Sequence, residues 1–118
     1  MIAHVVLYTP RADLSPSERE RFEAALIRAL ESIPSVRRYR VGRRLRLGTA
    51  YDATSAAYRF VGILEFDDRQ GLESYLRHPS HAELGRCFHE MSAEAIACDF
   101  EVVDSDLATA LATWAAGH

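Results

Sequence analysis

The stretch Ala57-Tyr-Arg-Phe-Val-Gly-Ile-Leu-Glu-Phe-Asp-Asp68, followed by Leu72-Glu-Ser-Tyr-Leu-Arg-His-Pro-Ser-His81, sets the reading of the whole chain. From Tyr58 to Phe66 it is rich in β-branched and aromatic residues and apolar on both alternating faces, which predicts a strand covered on both sides. Asp67 or Asp68 can cap the next helix, which carries Leu72, Tyr75 and Leu76. Pro79 breaks that helix and suits the first position of another, in which Leu84, Phe88 and Met91 face the core.

The opening segment Met1-Ile-Ala-His-Val-Val-Leu-Tyr8 has the same strand character over residues 2–9. His4, Val6 and Tyr8 share one face; Ala3, Val5 and Leu7 share the other. Ser15-Pro-Ser-Glu18 predicts a helix start, with Ser15 as cap, Pro16 at the first position and Glu18 completing a capping box. Phe22, Leu26, Ala29, Leu30 and Ile33 follow at helical spacing, and Pro34 ends the element. Val36 to Leu47 reads as a strand in which Tyr39 and Val41 oppose Arg38 and Arg40. Gly48 to Ala56 reads as a loop of small residues. Ala95 to Val103 is the last strand, with Ile96, Cys98, Phe100 and Val102 alternating against Asp99 and Glu101.

The order is βαββαβ, an α+β ferredoxin-like arrangement with helices on one face of the sheet. Ala3, Val5, Leu7, Val61 and Ile63 make the other face apolar as well, so a homodimer is expected, with a second copy covering it as a dimeric α/β barrel. The domain is expected over 1–103. Residues 104–118 form a C-terminal extension in which Asp104-Ser-Asp106 can cap a short helix from Leu107 to Ala116, with Leu107, Leu111 and Trp114 near helical spacing.

The 118 residues are 48% hydrophobic with a formal charge of −3, an ordinary globular composition that gives no reason to expect nucleic-acid binding. No apolar run is long enough to span a bilayer, so no membrane role is expected. No secretory signal is apparent, and Cys87 and Cys98 read as packed, reduced thiols, which together indicate the cytoplasm. Every cationic side chain is Arg, so lysine Schiff-base chemistry is excluded in this chain. Arg37, Arg38, Arg40, Arg43, Arg44 and Arg46 crowd one segment, either as a solvated strand face or as a site for an anionic group.

The residues that bear chemistry are few. His4 lies in an apolar strand and is directed toward the helices, where Tyr75 and His81 also fall. Such a group can move protons between a carbon acid and an oxygen near neutral pH; otherwise His4 is a core histidine with a hydrogen-bond partner. Tyr8, Tyr58, Phe60 and His78 are the expected ligand contacts, and Gly62 leaves room beside Phe60. His78-Pro-Ser-His81, with Cys87, His89 and Glu90 nearby, has the residue types of a metal site. Pro79 separates the two histidines onto different helical pieces, so no metal is expected. With no glycine-rich phosphate loop or dinucleotide fingerprint, no cofactor is expected.

In its early strand His, its strand ending in acids and its helix closing on His-Pro-x-His, the chain resembles the stress-responsive dimeric α/β-barrel (Dabb) family. The resemblance implies the ferredoxin-like fold, the homodimer and a domain that binds a small molecule without a cofactor. In the family's plant polyketide cyclase a strand His and a helix Tyr/His pair close a polyketide by an aldol reaction. By motif position these resemble His4, Tyr75 and His81, while Phe60 replaces a further His and implies an apolar or aromatic ligand. Two alternatives share the fold: a non-catalytic stress-response or interaction module, and a cofactor-free monooxygenase-like protein.

Overall fold

The computed structural model describes residues 1–54, 58–103 and 105–116. Four strands form one antiparallel sheet: β1 (Ile2–Pro10), β2 (Arg38–Arg43), β3 (Phe60–Phe66) and β4 (Ser92–Glu101), in the spatial order β2-β3-β1-β4. The helices are α1 (Pro16–Ser32), α2 (Ala50–Thr54), α3 (Arg69–Arg77), α4 (Pro79–Met91) and α5 (Leu107–Ala116). This is the ferredoxin-like α+β fold that the pattern predicts.

Local chemistry sets the element ends. Ser15 caps α1 in a full capping box: its hydroxyl accepts from the Glu18 amide, and the Glu18 carboxylate accepts from the Ser15 amide. Of the two candidate aspartates, Asp68 caps α3 by accepting from the Gly71 amide at 2.8 Å. His78 both ends α3 and begins α4, where its ring Nδ1 accepts from the Ser80 amide at 3.0 Å. Pro79 therefore starts a helix whose first amide it does not need.

Two differences from the expected boundaries concern the middle of the chain. β2 is shorter than 36–47 and leaves its partner after Arg43. A short helix, α2, then occupies much of the expected loop over 48–56. The Asp52 carboxylate organises that turn by accepting from the amides of Leu47, Gly48 and Thr49, while Gly48 adopts a positive φ of 81°. Residues 55 and 56 of the expected loop, residue 57 after it, and Asp104 of the expected cap lie outside the described residues. At α5 the Thr109 amide donates to the Asp106 carboxylate.

Strand register decides what each face carries. On the side toward α1, α3 and α4, three rows cross the sheet: Tyr39–Leu64–His4–Asp99, then Val41–Gly62–Val6–Ala97, then Arg43–Phe60–Tyr8–Ala95. The core lies between this side and the helices and contains Ala25, Ala29, Ile33, Leu64, Phe66, Leu72, Tyr75, Leu84, Cys87 and Met91. Phe66 is fully buried, which alone contributes about 1.5–3 kcal/mol of transfer free energy. The opposite side carries Val5, Leu7, Val61, Ile63, Ile96, Cys98 and Phe100. It is not covered within one chain: Leu7, Ile96 and Phe100 are 37%, 46% and 52% exposed. Cys98 is exposed there rather than packed, because the apolar side of β4 faces away from the helices; Cys87 is buried.

Candidate functional site

The middle row of the helix-facing side holds Gly62 and Ala97, where larger side chains would fill the space under the helices. A Cβ added at Gly62 would meet no atom within 4 Å. The result is a cavity of about 290 Å³ between sheet and helices, walled by apolar and aromatic side chains including Val41, Leu76, Leu84 and Phe88. Its volume lies near the lower end for small-molecule sites.

His4, Tyr75 and His81 meet along this cavity. β1 supplies His4, α3 supplies Tyr75 in its last turns, and α4 supplies His81 in its first turn. The break at His78-Pro79 is what turns Tyr75 and His81 toward each other. The Tyr75 ring centroid lies 4.6 Å from that of His81 and 5.8 Å from that of His4. Phe66 backs Tyr75 at 5.3 Å.

A fourth residue, Asp99, completes the group. Its carboxylate lies 2.5 Å from His4 Nδ1, joining residues at directly opposed positions on β1 and β4. His4 is buried and Asp99 is partly open to solvent. The hydrogen bond to the carboxylate holds Nδ1 protonated and leaves Nε2 as the remaining functional nitrogen. Sequence reasoning placed Asp99 among the polar positions alternating with the apolar side of β4 and gave it no role. Its only available signal was the pairing of the first and last strands, which sets an acid opposite His4.

Burial sets the proton affinities of the other two groups. The Tyr75 hydroxyl is pushed up to about 12 by desolvation, so it remains a donor at neutral pH. His81 is moved below its ordinary value, first by desolvation and then by the charge of His4, with a hydrogen bond to the Leu76 carbonyl acting in the opposite direction. A neutral imidazole beside a protonated phenol is a base next to an oxygen-directed donor.

The expected ligand contacts are divided by the structure. Tyr8 lines the cavity. Phe60 does not: it stands in the next row and stacks on Tyr8 at 5.6 Å, so the Tyr8 ring forms the wall in its place. Phe60 instead borders two neighbouring cavities. Tyr58 precedes β3 and offers its carbonyl to Arg44. The His78 ring is taken up by the helix cap and is absent from the cavity wall. Among the described residues no three His, Cys, Asp or Glu side chains converge as a metal-binding group.

The family model of the stress responsive A/B barrel domain, Dabb, matches residues 2–102. The chain belongs to the Dabb family. Dabb relatives appear among solved structures as well, including a Dabb family protein with a ferredoxin-like fold from Mesorhizobium loti. It is 21% identical, with 86% of this chain and 96% of that one covered and a TM-score of 0.67. A dimeric ferredoxin-like protein of unknown function from Thermobifida fusca is 25% identical, covering 86% and 90% with a TM-score of 0.64. Hydroxynitrile lyase from Passiflora edulis is 13% identical, covering 89% and 95% with a TM-score of 0.72. No curated protein matches this Dabb chain. No helix among the described residues is long and apolar enough to cross a membrane.

Proposed function

We propose that this Dabb domain binds an apolar or aromatic small molecule in the sheet–helix cavity and performs cofactor-free proton transfer on it, as a cyclase or lyase. The observation that carries the reading is the convergence of His4, Tyr75 and His81 on one apolar cavity, with a carboxylate holding His4. In the proposed reaction His81 removes a proton from a carbon acid beside a carbonyl. The resulting enolate attacks a second carbonyl of the same molecule, or the reverse cleavage occurs. Tyr75 donates to the developing oxyanion, and His4, oriented by Asp99, supports that charge. The lyase among the structural neighbours is compatible with such chemistry but shares only the fold.

The working unit is proposed to be a homodimer, because the second sheet face is apolar and open in one chain and because a neighbouring structure is dimeric. The two free thiols suit the reducing cytoplasm.

Turnover of linear polyketide, β-keto thioester and cyanohydrin compounds tests the reading. With a substrate found, His81→Gln and, separately, Tyr75→Phe lower turnover by ~10²–10⁴ and leave the thermal midpoint nearly unchanged. A second reading, a non-catalytic interaction module, is favoured by the packing of Tyr75 in the core at 2% exposure. It takes over when turnover survives both substitutions while the midpoint falls.

A further inference from the structure

The last helix, α5, lies beyond residues 2–102, which the family model matches. Its sequence, Leu107-Ala-Thr-Ala-Leu-Ala-Thr-Trp-Ala-Ala116, contains no charged side chain. Leu107, Leu111 and Trp114 share one helical face, yet they are 72%, 46% and 79% exposed. Within 107–114 every side chain other than Ala110 is exposed. A helix of this length is marginal in water without tertiary packing, so an uncharged and uncovered one needs a surface to lie on. A bilayer surface is a poor match. Helices that lie on membranes carry a basic polar face, whereas α5 has none and follows Asp104 and Asp106.

The cavity has a rim that its own helices leave open. On the edge strand β2, Tyr39 and Val41 line the cavity and remain more than half exposed, and Leu76 of α3 lines it while partly exposed. The two sheet edges also differ in charge. Residues 36–47, which include β2, hold six Arg and no acid; residues 92–106, which include β4, hold Glu94, Asp99, Glu101, Asp104 and Asp106 and no Arg or Lys. Arg37 and Arg40 pair within the chain, so charge selects which edges meet rather than any one ion pair. Two copies packed on their open faces can be related by a twofold axis across the strands, which sets β4 on β4 and acids on acids. An axis along the strands instead sets β4 against β2 of the partner subunit, and complementarity favours it. This second axis keeps corresponding strand ends together. The Val102 amide donates to the Met1 carbonyl at 2.8 Å, so the chain leaves β4 at the end of the sheet nearest the Tyr39–Leu64–His4–Asp99 row. Five residues, 102–106, can reach up to about 17 Å, more than the ~10 Å between packed sheets.

From this placement we infer that α5 is an exchanged arm. It wraps the β2 edge of the other copy and lays Leu107, Leu111 and Trp114 over Tyr39, Val41 and Leu76 of the partner subunit, closing that copy's cavity. Each site is then complete only in the dimer. The inference rests on the proposed dimer and the proposed use of the cavity, and it adds a wall supplied by the second chain.

Trp114 is the only Trp of the chain and reports on the arm directly. In the wild-type dimer its emission is expected to be blue-shifted from that of free tryptophan and to move red on dilution into monomers. Val5→Glu, which places a charge on the apolar sheet face, moves it in the same way. Leu107→Asp with Leu111→Asp, at positions exposed in one chain, moves it red while the dimer mass is retained. The same pair weakens calorimetric binding of decanol about tenfold, the loss expected when ~50 Å² of apolar ligand stays in water. Tyr39→Asp also moves the emission red, which assigns the arm to the β2 rim. Red emission in the wild-type dimer, or emission indifferent to Tyr39→Asp, overturns the docking. Blue emission that persists in the monomers shows the arm lying on its own chain and overturns the exchange. Decanol affinity unchanged by the arm substitutions overturns the closure. A wild type that is monomeric at micromolar concentration overturns the dimer and the exchange together. No decanol binding by a wild type whose Trp114 emission is blue overturns the use of the cavity and leaves the arm standing.

Discussion

Asp99, His4, Tyr75 and His81 carry the chemical hypothesis, and two predictions belong to them. His81 binds its proton less readily in the folded chain than at the ordinary histidine value of about 6.5, so its neutral form persists below that pH. In the proposed mechanism the acidic limb of kcat/KM therefore lies below 6.5. The same shift affects stability. The unfolded chain binds more protons through the window just below 6.5, so folding stability declines as pH falls across it, and His81→Gln flattens that decline. Denaturant midpoints measured at pH 7 and at successively lower pH check the sign; a midpoint that rises on acidification in the wild type but not in the variant contradicts it. Asp99→Asn replaces a charge-assisted bond to His4 with a neutral one. A bond of this kind contributes about 1.5–3 kcal/mol, roughly 10–100-fold in kcat/KM if it acts fully in the transition state. Because Asp99 is half exposed, its effect on the thermal midpoint is expected to be the smaller one.

At the scale of elements, the joint between α3 and α4 decides whether a site forms. His78 precedes His81 by three residues and follows Tyr75 by three, and its ring caps the helix that presents His81. His78→Ala is expected to lower stability by ~1 kcal/mol, the usual cost of losing an N-cap, whereas His78→Asp, a better capping residue, retains it. Urea denaturation distinguishes the two variants. Equal stability of wild type and His78→Ala would show that the ring's cap bond contributes little to folding.

For the whole molecule, the decisive feature is the sheet's uncovered face. Val5, Leu7, Val61, Ile63, Ile96 and Phe100 form one apolar surface there, too continuous to remain in water at low cost. Light scattering at micromolar concentration is expected to give twice the chain mass of 13.2 kDa. Val5→Glu, on the inner strand β1 and flanked by Ile63 and Cys98, places a charge within that surface and is expected to give a monomer. A wild type that elutes and scatters as a clean monomer rejects the dimer.

Much of this architecture was legible in the chain because the signals are local. Runs of β-branched and aromatic residues apolar on both faces marked β1 and β3, alternation marked β4, helical spacing marked α1 and α4, and Ser15, the Asp67-Asp68 pair and Pro79 marked where helices begin. The early His and the His-Pro-x-His pattern pointed to His4, Tyr75 and His81 before any packing was known. Register was not legible, because it joins residues far apart in the chain: His4 and Asp99 are separated by 95 positions, and no local pattern encodes their contact. A shift of one residue would have turned Asp99 outward and Cys98 toward the helices. The same register placed Gly62 rather than Phe60 beside the cavity and exposed Cys98. The amino-acid order determines which elements exist and where they stop; the pairing of distant strands determines which side chains share a cavity.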